Sequence, residues 1–147
     1  MTTVTPWVCR LYPERRSRLY VRVQVWPTKR AFLQHINATC RFADGRKARH
    51  DVQGTCGRRQ TTRCVAVVNL WRGRLTMMVV THELFHATMA WGYRVKFPFA
   101  ALGEGVDVGD AEERITYVHG ELCRQFMVRA TARRGPYTYL DNKVTAT

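Results

Sequence analysis

His82 and His86 stand four residues apart, with Glu83 beside the first of them. In a strand the two imidazoles would lie about 13 Å apart. In a helix they sit one turn above each other, with Cβ atoms about 6 Å apart. The neighbours choose the helix. Leu75, Met78, Val79, His82, His86 and Met89 recur at three- and four-residue steps. That periodicity predicts a helix with one buried stripe, stopped by Gly92.

The rest of the chain divides more simply. Residues 19–26 alternate, with Leu19, Val21, Val23 and Val25 on one face and Tyr20, Arg22 and Gln24 on the other, which predicts a half-buried strand. After Pro27, Thr28 is placed to cap a short helix whose apolar face is Ala31, Phe32, His35 and Ile36. Residues 44–62 are rich in Gly, Arg, Gln and Thr and read as a long loop or irregular hairpin. Residues 64–71, with three valines, predict a second strand. Residues 96–109 hold Pro98 and three glycines and read as a loop. Asp110 is expected to cap a last helix reaching about residue 132, with a stripe of Ile115, Val118, Leu122 and Phe126. The tail from about residue 135 is expected to pack loosely. Strands and helices in this order predict one α+β domain over residues 1–147, a small, mainly antiparallel sheet packed on the last two helices.

Two imidazoles on one helix face can share a zinc ion, and Glu83 is placed to take a proton from a water bound to it. A catalytic zinc needs a third protein ligand and an open fourth position. The last helix offers Glu112, Glu113 and His119. Glu112 lies on the stripe side and Glu113 toward the edge with Tyr117; at a helix start, carboxylates also simply meet the dipole. Tyr117 and His119 are further candidates, as donors to the oxyanion of a tetrahedral intermediate. His35, Cys40, His50, Cys56 and Cys64 fit no standard zinc-knuckle spacing.

The segment His82-Glu83-Leu84-Phe85-His86, followed by Glu113, Ile115, Gly120 and Leu122, resembles the gluzincin metallopeptidases, the thermolysin-like class. In that class a downstream helix supplies a glutamate, with an apolar residue two on, a glycine seven on and a leucine nine on. The stretch from Glu113 to Leu122 also resembles small phage-encoded HExxH proteins, which share the tyrosine at Tyr117. The resemblance covers residues 64 to about 126. It implies a minimal zincin-like core, one zinc held by His82, His86 and Glu113, and hydrolysis of a peptide or protein substrate with Glu83 as general base. It further implies that the strand before the histidine helix borders the cleft. Thermolysin-like enzymes carry an aspartate where this chain has Tyr117, so Tyr117, Asp107, Asp110 or a backbone carbonyl must orient the zinc-bound histidine. His82-Glu83-Leu84-Phe85-His86-Ala87 with Trp91 also resembles SprT-like, DNA-associated proteases, whose next ligand would fall at His119-Gly120.

Composition sets the remaining bounds. The net charge is +13, and 20 of the 24 basic residues are arginine. Up to Thr81 there are 16 basic and 3 acidic residues; from His82 there are 8 of each. A basic N-terminal half suits nucleic acid or an acidic protein. A second class of function follows: a non-enzymatic, zinc-containing basic protein, of phage type, that binds a host protein or nucleic acid. No apolar run approaches the length of a membrane span. The first ten residues lack a secretory pattern. With five unclustered cysteines, a cytoplasmic setting with free thiols is expected.

Overall fold

A computed structural model describes residues 4–39, 53–59, 62–102, 109–132 and 135–136. It is an α+β arrangement of four strands and three helices: β1 Trp7–Leu11, β2 Tyr20–Trp26, α1 Lys29–Thr39, β3 Gly54–Arg58, β4 Cys64–Trp71, α2 Met77–Arg94 and α3 Gly109–Ala130. Short 3-10 turns at Arg72–Arg74 and Phe99–Ala101 flank α2. The strands lie in the order β1-β2-β4-β3. β1 runs antiparallel to β2, and β3 antiparallel to β4, but β2 and β4 pair in parallel. The sheet is therefore mixed: two of its three pairings are antiparallel, as the sequence suggested, and the central one is parallel. Two strands running the same way need a long connection between them, and α1 with β3 fills it.

The central pair makes the core. Val21, Val23 and Val25 alternate inward from β2, beside Ala66, Val68 and Leu70 of β4, and all six are buried. Against this face α2 lays Val80, Leu84, Ala87 and Trp91, and α3 lays Val118, Leu122, Phe126 and Ala130. Burial of each large side chain, such as Trp91 or Phe126, contributes about 1.5–3 kcal/mol. The opposite face carries a smaller cluster. Phe32, Ala31 and Ile36 of α1 pack with Trp26, whose indole N–H donates to Asn69 Oδ1 at 3.4 Å. Thr28 caps α1 as expected, accepting from the Ala31 N–H at 3.2 Å.

Two helix ends differ from expectation. Gly92 does not stop α2; the helix runs two residues further, and the Phe99 ring lies where a Gly92 side chain would be. The stop is a Schellman arrangement. The Lys96 N–H donates to Tyr93 O at 3.3 Å and the Phe97 N–H to Gly92 O at 2.8 Å. Lys96 takes a φ of 55°, in the position that glycine usually fills. Asp110 lies inside the first turn of α3 and does not precede it. The expected loose tail falls outside the described residues apart from 135–136, as does most of the segment expected to be irregular.

A polar clasp ties α3 to the end of β1. The Tyr12 N–H donates to Gln125 Oε1 at 2.9 Å, and Gln125 Nε2 donates to Tyr12 O at 2.8 Å. The same amide reaches Glu121 Oε1, which also takes Arg124. Both backbone groups of Tyr12 are part-buried, so loss of their partner leaves them unsatisfied. Gln125→Ala is expected to lower unfolding free energy by about 2 kcal/mol. Arg124→Ala, which removes an ion pair whose arginine is 64% exposed, should cost much less, because solvent screens the pair. Urea unfolding of the two variants compares them; equal losses would place the stabilisation in the ion pair.

Candidate metal centre

The rotation of α2 decides what the HExxH segment presents. The sequence put Met78, His82 and His86 on the buried stripe. The structure buries the neighbouring row, Val80, Leu84, Ala87 and Trp91, and leaves Met78, His82 and His86 exposed. Two rows of this helix recur at three- and four-residue steps. The wholly apolar one takes the sheet, because hydrogen-bonding imidazoles would lose their water in the core.

On the exposed face the two imidazoles converge. His82 Nε2 and His86 Nε2 are 3.2 Å apart, with the rings edge to face at 83°. Two nitrogens on one tetrahedral zinc, each about 2.05 Å from it, lie about 3.3 Å apart. The separation therefore matches two corners of a zinc site, and in the absence of a metal the same approach makes a hydrogen bond between the two rings. Met78, one turn before His82, and Phe85, beside His86, leave large apolar surfaces exposed around it.

Glu83 faces another way. It is 8% exposed and sits between α2 and the edge strand β3. Burial pushes its carboxyl pKa up, and the charge of His82 pulls it partly back. Gly54 of β3 makes the room: a Cβ built there would lie 2.8 Å from Glu83 Cγ and 3.0 Å from Leu70 Cδ2. Neither Gly54 nor β3 was singled out from the sequence, where residues 44–62 read as a loop or irregular hairpin. The strand expected to border the cleft was residues 64–71. That strand is β4, which is paired on both sides; the edge beside Glu83 is β3.

The candidates on α3 are not gathered with the histidines. Among the described residues no group of three His, Cys, Asp or Glu side chains could hold a metal ion. Glu112, on the first turn of α3, and Glu113, just after it, are exposed and line a shallow hollow with Asp110, Arg114, Thr116 and Tyr117. His119 is the residue that meets α2 near the motif. Its Nδ1 lies 3.4 Å from Thr88 Oγ1, and its ring stands edge-on to Phe85. Its burial, the largest influence, pulls the imidazole pKa down. Glu113 is six residues earlier, about 9 Å along the axis of α3, where the next residue, Arg114, lies over the Trp91 ring. Tyr117 is 67% exposed. Gly120 has open space where a side chain would stand, so its match to the gluzincin pattern reflects no close packing here. Asp107 lies outside the described residues.

The second possible zinc group also stays apart. His35 stacks on Trp26, and the Cys64 thiol donates to Ala66 O. Burial, the main influence, holds the Cys56 thiol up at about 12, far from the thiolate a metal needs. Cys40 and His50 are outside the described residues. The four described cysteines, Cys9, Cys56, Cys64 and Cys123, are free. No helix among the described residues is long and apolar enough to cross a membrane. Compared with protein families, with characterised proteins and with solved structures, the chain matches none.

The contact between Gly54 and Glu83 gives a direct test of this geometry. Gly54→Ala should destabilise the fold by about 1–3 kcal/mol through overpacking. In a Glu83→Ala background the cost should shrink, leaving the part due to Leu70. A double-mutant cycle by chemical denaturation measures the coupling; an unchanged cost would remove Gly54 from the Glu83 site.

Proposed function

We propose that the chain is a zinc-dependent metallopeptidase that hydrolyses a peptide bond. The observation that carries the reading is the 3.2 Å approach of the two Nε2 atoms, with a sheltered carboxylate, Glu83, on the residue between. His82 and His86 would hold one zinc, and bound there it would lower the pKa of a water toward about 7. Glu83, whose carboxyl lies against β3 and off the exposed histidine face, is the group proposed to take a proton from that water and pass it to the leaving amine. Its burial favours that exchange by bringing its pKa nearer to neutrality. The exposed Met77, Met78 and Phe85 surfaces suit apolar side chains of a peptide. The edge of β3 suits an extended backbone.

For the third ligand we propose Glu113, on its place in the Glu113, Ile115, Gly120, Leu122 register. Glu112 and His119 are the alternatives. The lack of a three-ligand group among the described residues favours one second reading, a protein that works by binding and not by hydrolysis. Tyr117 and His119 keep their proposed role as oxyanion donors only under the enzymatic reading.

Purified protein is expected to hold about one zinc per chain, and His82→Ala to lose it. Equal, negligible metal in both would end the zinc reading. Glu83→Gln should retain zinc but lose hydrolysis of an unfolded protein substrate by a factor of about 100 or more. Loss of metal from that variant would make Glu83 a ligand; full biological activity with no hydrolysis would support the binding protein. Zinc titration followed by melting separates the candidates on α3, because zinc binding adds to folding free energy. Glu113→Ala should lose most of the zinc-dependent rise in Tm, while Glu112→Ala and His119→Ala keep it. A normal response in all three would move the ligand to residues 103–108, which carry Glu104 and Asp107.

A further inference from the structure

Away from the histidine pair, two hollows flank the end of β3. One, a cleft of about 640 Å³, lies on the sheet face shared with α1 and takes in Arg22, Arg58 and Arg59. The other, of about 240 Å³, lies against the last turns of α2 and takes in Arg58, Arg59, Tyr93, Arg94 and Lys96. Arg58 and Arg59 line both, so the hollows form one continuous surface around the sheet edge. It carries five cations. Among the described residues no carboxylate lines either hollow, and none of the five is ion-paired. Arg22, Arg58 and Arg59 come from the basic half of the chain, Arg94 and Lys96 from the half that is neutral overall.

Two further observations set this surface apart from an ordinary solvated one. Gln24 Oε1 and Thr55 Oγ1 in the first hollow and Arg94 Nη1 in the second are buried without a hydrogen-bond partner. Buried polar atoms of this kind normally have one. Lys96 holds a φ of 55°, a conformation that costs a side-chain-bearing residue about 1 kcal/mol and that glycine adopts freely. A lysine kept where glycine would be less strained points to a use for its charge.

We propose that this surface binds single-stranded nucleic acid, with its phosphates on Arg22, Arg58, Arg59, Arg94 and Lys96 and a base against Tyr93. Four of the five cations are arginines, whose planar forks match phosphate oxygens in pairs. Tyr93 is 53% exposed among them, with the Arg58 guanidinium 4.4 Å over its ring and the Phe99 ring 4.9 Å away. A base therefore meets this stacked group and not a bare ring face; single strands are held by cations for the backbone and by such stacking groups for the bases. The shape favours a long, flexible polyanion. A lone phosphate group is far smaller than either hollow and leaves the other empty. A ligand that uses both must turn around a thin sheet edge, which a flexible single strand does and a duplex, stiff over about 150 base pairs, does not. This inference is independent of the zinc site.

The test is fluorescence anisotropy of the full chain with a labelled single-stranded oligonucleotide of about 20 nucleotides across a range of salt concentrations. Five phosphate contacts on a single strand predict a slope of log K against log salt of about −3.5. Arg58→Ala with Arg59→Ala should weaken binding about tenfold and flatten the slope by about 1.4. Arg10→Ala with Arg129→Ala serves as control; Arg10 lies on β1, at the opposite edge of the sheet, and the pair should leave the slope within experimental error. Lys96→Gly separates binding from folding: its Tm should hold or rise as the positive φ is relieved, while its slope flattens by about 0.7. Equal losses from the control pair would reduce the effect to diffuse charge and overturn the proposal. So would a duplex bound as tightly as the single strand, or polyglutamate competing as well as the oligonucleotide, the latter assigning the surface to an acidic protein.

Discussion

Everything at the candidate centre depends on how α2 is turned against the sheet. Val80, Leu84, Ala87 and Trp91 share one core with Val21, Val23, Val25, Val68 and Leu70, which buries a wholly apolar row of the helix. Once that row is seated, the remaining directions are fixed. Positions 82 and 86 point to solvent and converge, while position 83 points to the sheet margin and meets β3. The two histidines and the glutamate beside them are therefore separated by packing alone, the histidines wet and the glutamate sheltered. The proposed function rests on that difference in environment.

Much of this was legible in the residues. The valine alternation of β2, the compact run of β4, the Thr28 cap and the α3 row of Val118, Leu122 and Phe126 each carry a local signal that no tertiary contact contradicts. β1 was missed although Trp7, Cys9 and Leu11 alternate, because five residues give little period to count. The parallel pairing of β2 and β4 could not be read at all. It joins Val21 to Ala66 across α1 and β3, and no local pattern encodes which of two buried strands will be neighbours. The face of α2 was misread for a narrower reason. Two interleaved rows had the same period, and periodicity does not say which row is apolar enough to bury.

The candidate site shows the same division. The spacing of His82 and His86 told correctly that they share a helix face. The third ligand needs the relative placement of two helices. Here the packing of Arg114 over Trp91 and of His119 against Thr88 sets that placement, and neither contact has a sequence signature. Gly54 is the instructive omission. A glycine in a polar, arginine-rich stretch reads as a turn residue, whereas in the fold it is the absence of a side chain opposite Glu83.

That absence sits in the most exposed member of the sheet. β3 is five residues long, has one partner strand and includes two glycines. Strands so held open far more readily than the two at the centre. Gly54 is the part of β3 that lies against Glu83, and burial there holds the carboxyl pKa up. The shelter of the carboxyl beside the histidine pair thus rests on the closure of a single five-residue edge strand.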